Sequence, residues 1–168
     1  MRLNLRKLTV SAMFVALAVI LSTFSIPIGA SRCFPIQHLM NVLAAVFLGP
    51  VYGTAIAFCT ALIRNLFGTG SLLAFPGSMV GALISALVYK YTKKLVGAYL
   101  GEVIGTGIIG GMLCYPIASF MMGQKAALFT FVGPFLLSTI CGTVLAAIIL
   151  TALYHTKAIL ELQKVLNE

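Results

Sequence analysis

Between Arg32 and Arg64, and again between Lys125 and Lys157, the chain contains no Asp, Glu, Lys or Arg. Runs of this kind constrain the fold more than any motif does, because a helix that crosses a bilayer needs about 20 mainly apolar residues. By that measure the chain divides into six segments: 8–26, 36–49, 51–67, 78–96, 98–122 and 131–155. The second is short and lies between Pro35 and the pair Gly49-Pro50. It is expected to span only part of the hydrocarbon or to share its depth with the loop before it. The stretches "IPIGASR", "GTGSLLAFPG" and "MMGQKA" fall where connections belong.

Composition closes off the soluble alternatives. Hydrophobic residues make up 61% of the chain and charged residues 8%, against about 25% charged in an ordinary globular domain. Backbone polar groups in lipid have to be satisfied within the segment. The expected fold is therefore all-α, a polytopic integral membrane protein built as one compact bundle of six transmembrane helices over residues 1–168. A net charge of +8 could suit nucleic acid, but the basic residues form short clusters beside apolar segments and no basic, aromatic-rich face. No nucleic-acid partner is expected. Cys33, Cys59, Cys114 and Cys141 are widely spaced without a C-x-x-C pair, so they read as small buried hydrophobes with no metal site.

With an even number of spans, one side collects Arg2, Arg6, Lys7, Lys90, Lys93, Lys94, Lys157 and Lys164, and the other Arg32, Arg64 and Lys125. The richer side is expected in the cytoplasm, with both termini there. The N-terminal stretch has the basic start and apolar run of a secretory signal. Its apolar run approaches spanning length, however, and losing it would break the even helix count, so it is taken as the first span.

Polarity is concentrated on the outer side. The stretch "ASRCFPIQHLMN" places Arg32, Gln37, His38 and Asn41 between two apolar runs. Pro35 suits the first turn of a helix, and from there the i, i+4 and i, i+3 spacings put Gln37, His38 and Asn41 on one face. Such groups serve either a ligand or the neighbouring backbone. Arg64 and Asn65 lie within a turn of the outer end of the third segment; Arg64 either snorkels to the surface or closes over a ligand. Phe75, in "AFPGS", is either a lid side chain or loop packing, and Ser78 is placed as an N-cap for the fourth helix. Gly68-Thr69-Gly70 lacks the context of a phosphate loop.

In the fifth segment Glu102 and Thr106 share a helix face. The expected topology puts Glu102 nearer the inner side, where an ion pair with Lys93, Lys94 or Arg64, or the helix dipole, accounts for it as well as a ligand does. Gly101, Gly105, Gly107, Gly110 and Gly111 permit close helix packing. Tyr115-Pro116 interrupts the outer half of this helix, a device that shapes cavities. On the first segment Ala12 and Ala16, with Ser11 and Ala18 nearby, form a smooth strip that another helix can approach.

Six short hydrophobic helices, an Ala-x-x-x-Ala on the first and polar outer loops resemble the substrate-binding S component of an energy-coupling factor (ECF) transporter. More narrowly, "RCFPIQHLMNVLAAVFLGP", "RNLFGTGSLLAFPGSMVGAL" and "GEVIGTGIIGG" resemble the ThiW family over about residues 5–157. The resemblance implies uptake of the thiamin precursor hydroxyethylthiazole and docking of the first helices, through Ala12 and Ala16, on a transmembrane T component driven by two cytoplasmic ATPases. It implies no catalytic residues on this chain. Without a Walker motif the chain needs no cofactor of its own, ATP being used by the separate subunits.

The residues suit such a ligand. Phe34, Phe75 and Tyr115 offer apolar surface and Gln37, His38, Asn41 and Asn65 a few hydrogen bonds, the usual make-up of a small-molecule site. Arg32 and Arg64 would suit a phosphorylated form better, or act as a gate. The rival reading, a stand-alone secondary transporter of a small vitamin-like molecule, calls for inverted repeats and intramembrane acids; no repeat is visible and Glu102 stands alone. An intramembrane enzyme would need a nucleophile and base, and His38 has no acidic neighbour in sequence.

Overall fold

The computed structural model describes residues 4–23, 25–28, 31–156 and 158–167; Arg2 and Lys157 lie outside the described residues. Helices dominate: α1 (Leu5–Leu21), α2 (Pro35–Phe47), α3 (Pro50–Leu66), α4 (Ala74–Thr92), α5 (Leu95–Met121), α6 (Val132–His155) and a short α7 (Ala158–Asn167). By length and composition α5 and α6 can each cross a membrane unaided, while α2 is a shorter apolar helix. The first six match the six expected segments, with shifted ends. One shift is instructive. The first segment was expected to run to residue 26, but α1 stops at Leu21 and residues 26–28 pair with 31–33 as strands β1 (Ile26–Ile28) and β2 (Ser31–Cys33), in the register Ile26↔Cys33, Pro27↔Arg32. This hairpin supplies backbone partners for a segment that has left the helix.

α2 is the axis of the bundle. Nearly every one of its residues is buried, from Pro35 to Phe47, as befits a helix that is apolar all round. At 13 residues it is about 20 Å long, so its first turn begins well inside the bundle, beneath the hairpin. Gly49, at φ 81°, provides the left-handed turn that only glycine adopts freely, and Pro50 then starts α3 where a missing N–H costs nothing.

α4 and α5 meet along an antiparallel seam of small residues. A Cβ on Gly110 would come within 2.8 Å of Gly77 Cα, one on Gly105 within 2.8 Å of Gly81 Cα, and one on Gly101 within 2.7 Å of Ser85 Cα. The backbones therefore touch over three helical turns, the small-residue packing that holds helices together without a hydrophobic driving force. The seam is accompanied by two π-helical stretches in α5, Val103–Gly110 and Ile117–Met121. The second directly follows Pro116, which has no N–H to give to the preceding turn.

α7 was not anticipated, because it is too polar and too short to count as a span. Its apolar side buries Ile159 and Leu166. Gln163 Nε2 donates to Val46 O at 2.7 Å and to Tyr89 Oη at 3.1 Å, while Asn4 Nδ2 and Arg6 donate to Leu166 O and Val165 O. One end of the bundle is thus closed by α7 against the start of α1 and the ends of α2 and α4. The hairpin, the α3–α4 loop and the start of α6 meet at the other end.

Candidate functional site

At the hairpin end lies a cavity of about 400 Å³. Its wall combines Phe34, Phe131 and Phe135 with the polar side chains of Arg32, Gln37, His38, Arg64, Ser71 and Ser138. α2 supplies Gln37 and His38 because the chain enters that helix at depth. Arg64 comes from the last turn of α3, and Phe131 and Phe135 from the first turn of α6. Arg32, on β2, is exposed at the rim. Ser138 Oγ accepts from Phe34 N–H at 3.2 Å, tying the hairpin exit to α6.

Two polar clusters are built around this cavity. In the first, Arg64 is 2% exposed. One terminal nitrogen donates to Gln37 Oε1, the other to Thr69 O at 3.1 Å, and the guanidinium lies 4.3 Å from the centre of the Phe34 ring. Arg64 Nε and Gln37 Nε2 are buried donors without a partner. Arg64 thus does not snorkel to the surface: it is a buried residue of the cavity wall.

The second cluster lies behind the wall. Glu102 is 0% exposed, and its Oε1 receives hydrogen bonds from Asn41 Nδ2 at 3.0 Å and Thr106 Oγ1 at 3.0 Å, with His38 Nδ1 at 2.9 Å. Asn41 Nδ2 also donates to Ser78 O at 3.2 Å. The expected pairing of Glu102 with Lys93, Lys94 or Arg64 is corrected: its partner is His38. Lys93 and Lys94 precede the start of α5, about two turns before Glu102, whereas the first turn of α2 meets α5 at Glu102 itself. The acidic neighbour His38 lacks in sequence is supplied across 64 positions. With Nδ1 committed to Glu102, only Nε2 of His38 remains for the cavity. Gly142 on α6 makes room for His38, since a Cβ there would lie 2.7 Å from His38 Cβ.

Of the site residues expected from sequence, Arg32, Phe34, Gln37, His38 and Arg64 line one cavity. Asn41, Asn65, Phe75 and Tyr115 are not among its lining residues. Asn41 faces Glu102, one layer behind. Asn65 donates to Ala61 O at 2.8 Å and Ser71 O at 3.0 Å, holding the α3–α4 loop. Phe75 packs against Phe58 with ring centres 5.7 Å apart, so it is a packing residue between α3 and α4. Tyr115 is half-buried on α5. Ser78 is not an N-cap: α4 begins at Ala74, and the Ser78 hydroxyl donates back to Ala74 O at 2.7 Å. Pro76 misled the boundary, being tolerated inside the first turn. The lining residues that sequence reasoning missed are chiefly Phe131, Phe135 and Ser138. Their one signal is the i, i+4 pair of phenylalanines opening the sixth segment. Among the described residues no group of His, Cys, Asp or Glu could hold a metal ion.

On α1, Ala12 and Ala16 are exposed, whereas Ser11 and Ala18 face the bundle. The small-residue strip therefore has one side packed and one side open.

Comparison with known proteins decides the family. The family described as "Thiamine-precursor transporter protein (ThiW)" matches residues 8–156. This chain belongs to that family. It is a transporter protein of the membrane and not an enzyme. A solved structure, described under "Structure and mechanism of the S component of a bacterial ECF transporter", has the same fold: it superposes with a TM-score of 0.70 at 22% identity, covering 93% of this chain and 97% of the other. No curated protein matches this sequence.

Proposed function

We propose that this chain is the substrate-binding S subunit of an energy-coupling factor transporter and that its cavity captures hydroxyethylthiazole from outside the cell. The observation that carries the reading is the cavity itself: about 400 Å³, lined by three phenylalanines and by unpaired hydrogen-bond donors, at the end of the bundle away from α7. That volume and that mix of apolar wall with few polar groups are usual for a small-molecule site. A flat heteroaromatic ring suits Phe34, Phe131 and Phe135, and Gln37 Nε2 and His38 Nε2 are placed for its heteroatoms.

Orientation follows from charge. Arg6, Lys7, Lys90, Lys93, Lys94 and Lys164 gather at the α7 end, which is therefore the cytoplasmic one, and the start of α1, which carries the docking face, lies there. The exposed strip at Ala12 and Ala16 is the surface for a T subunit, which with two ATPase subunits would drive release inward. Purified protein in detergent should bind hydroxyethylthiazole in a one-to-one calorimetric titration, and Phe135→Ala should weaken that binding about 10-fold or more, the loss expected for a truncated aromatic contact. Retention of a lipid alone, with no response to any thiamin precursor, would overturn the reading. Ala16→Trp should abolish copurification of the T subunit while leaving binding intact; loss of both together would remove the separate docking face.

A further inference from the structure

The cavity wall holds two arginines and no Asp or Glu. Arg64, buried to 2% exposure, has only neutral partners: Gln37 Oε1, Thr69 O and the face of Phe34. Among the described residues the buried carboxylate, Glu102, has His38, Asn41 and Thr106 on its Oε1, and Arg64 makes no ion pair. A charge taken out of water without a counter-charge is costly, so in the apo protein this guanidinium is under-compensated. The two orphan atoms beside it are both donors. Arg64 gives a proton to Gln37 Oε1, which fixes that atom as the acceptor and leaves Nε2 as an N–H donor with nothing to bond; Arg64 Nε is in the same position.

The Gly68-Thr69-Gly70 backbone does not supply an alternative anion cradle. In the α3–α4 loop Gly68 N–H bonds to Asn65 O at 3.1 Å, and Thr69 and Gly70 N–H both bond to Arg64 O, at 2.9 and 3.0 Å. Those donors close the end of α3. On the Arg64 side of the wall the buried side chains offer positive charge and unpaired N–H groups.

We infer that the ligand of this cavity carries an anionic oxygen group, a phosphate monoester or a carboxylate, on a small heteroaromatic body, with Arg64 as its buried counter-charge and Gln37 Nε2 as a second donor. The inference rests on the reading of the cavity as the thiamin-precursor site and puts an acidic form, in place of the alcohol hydroxyethylthiazole, as the preferred ligand. A forked guanidinium is matched to two oxygens of one oxyanion. Arg32, exposed at the rim, adds a second cation on the entry path, and the phenylalanines hold the ring.

The test compares matched ligands on the intact, purified chain at constant ionic strength: hydroxyethylthiazole, its phosphate ester, the corresponding thiazole carboxylate, and the hydroxymethylpyrimidine alcohol with its phosphate. At least one thiazole anion should bind about 10-fold or more tighter than the alcohol, the gain expected of a charge-assisted bidentate contact; whichever anion wins identifies the oxygen group. Arg64→Gln should erase that gap while leaving alcohol binding within a few-fold, and Arg64→Lys, which keeps the charge without the fork, should retain part of it. Gln37→Leu should reduce the gap without erasing it and serves if the Arg64 variants do not fold. The inference is overturned if the alcohol binds as tightly as both anions, or if Arg64→Gln weakens alcohol and anions equally. Should no thiazole bind in any form, the thiazole reading fails and the pyrimidine pair decides the charge: a phosphate preference lost in Arg64→Gln upholds the inference. Should the pyrimidines also fail, inorganic phosphate decides it. Thermal stabilisation by phosphate that disappears in Arg64→Gln upholds the anion site, and no response to phosphate overturns it.

Discussion

Glu102 and Arg64 make an informative pair. Both are ionisable, both are on apolar helices and both are almost fully buried, at 0% and 2% exposure. Glu102 is enclosed by three side chains that bond to one of its oxygens, contributed by α2 and by its own helix α5. Arg64 finds only a side-chain amide, a carbonyl and a ring. Glu102 collects three hydrogen bonds on Oε1, with Oε2 left unpaired, while Arg64 meets no carboxylate among the described residues. The difference separates a polar cluster that fixes helices from one that is held ready, although the two stand back to back across the first turn of α2, where Gln37 and His38 are neighbours.

The contrast is sharpest in stability. Glu102→Leu should cost about 3–5 kcal/mol, because it strips His38, Asn41 and Thr106 of their common acceptor and leaves donors buried. The loss would be read as a fall in melting temperature in detergent, and a neutral result would mean that the cluster does not hold the bundle. Gly105→Leu attacks the same region through packing. The Gly81 backbone leaves no room for a side chain there, and overpacking of this kind costs about 1–3 kcal/mol; a tolerated leucine would show that the α4–α5 seam can open. Ser138→Ala should cost about 1 kcal/mol by removing the acceptor for Phe34 N–H, and it should loosen the hairpin before the bundle, measurable as faster hydrogen exchange at residues 31–34. The smallest effect is expected at Arg64. Replacing an uncompensated buried charge by Met should leave apo stability within about 1 kcal/mol or raise it, the opposite sign to Glu102→Leu. A large destabilisation by Arg64→Met would erase the distinction between the two clusters.

Much of this arrangement is legible along the chain. Runs without charge, punctuated by Gly and Pro, mark the six long helices to within a few residues, and the short second segment between Pro35 and Gly49-Pro50 announces a helix that does not span. The basic residues separate into two ends. What pattern could not supply is depth. Counting from the start of its helix places Glu102 about two turns in, on the side of Lys93 and Lys94. The error lay in α2, whose first turn begins deep enough for His38 and Asn41 to reach that level. Asn65 and Phe75 were likewise legible as residues of the outer end, but whether a side chain at a helix end turns toward the cavity or toward the adjoining loop depends on neighbours tens of residues away.

The sequence alone determined that this chain lives in a membrane, that its backbone is helical and that its polar side chains crowd one end. Those properties follow from solvation, which acts residue by residue: lipid admits apolar side chains and demands an internally bonded backbone. Only the tertiary structure decided which polar groups answer one another. Hydrogen bonds and ion pairs act over about 3 Å, so the pairing of His38 with Glu102, the lack of a counter-charge for Arg64 among the described residues and the entry of Phe131 and Phe135 into the wall depend on how closely the helices approach. That approach is set by Gly77, Gly81, Gly101, Gly105 and Gly142, residues whose contribution is the space they leave.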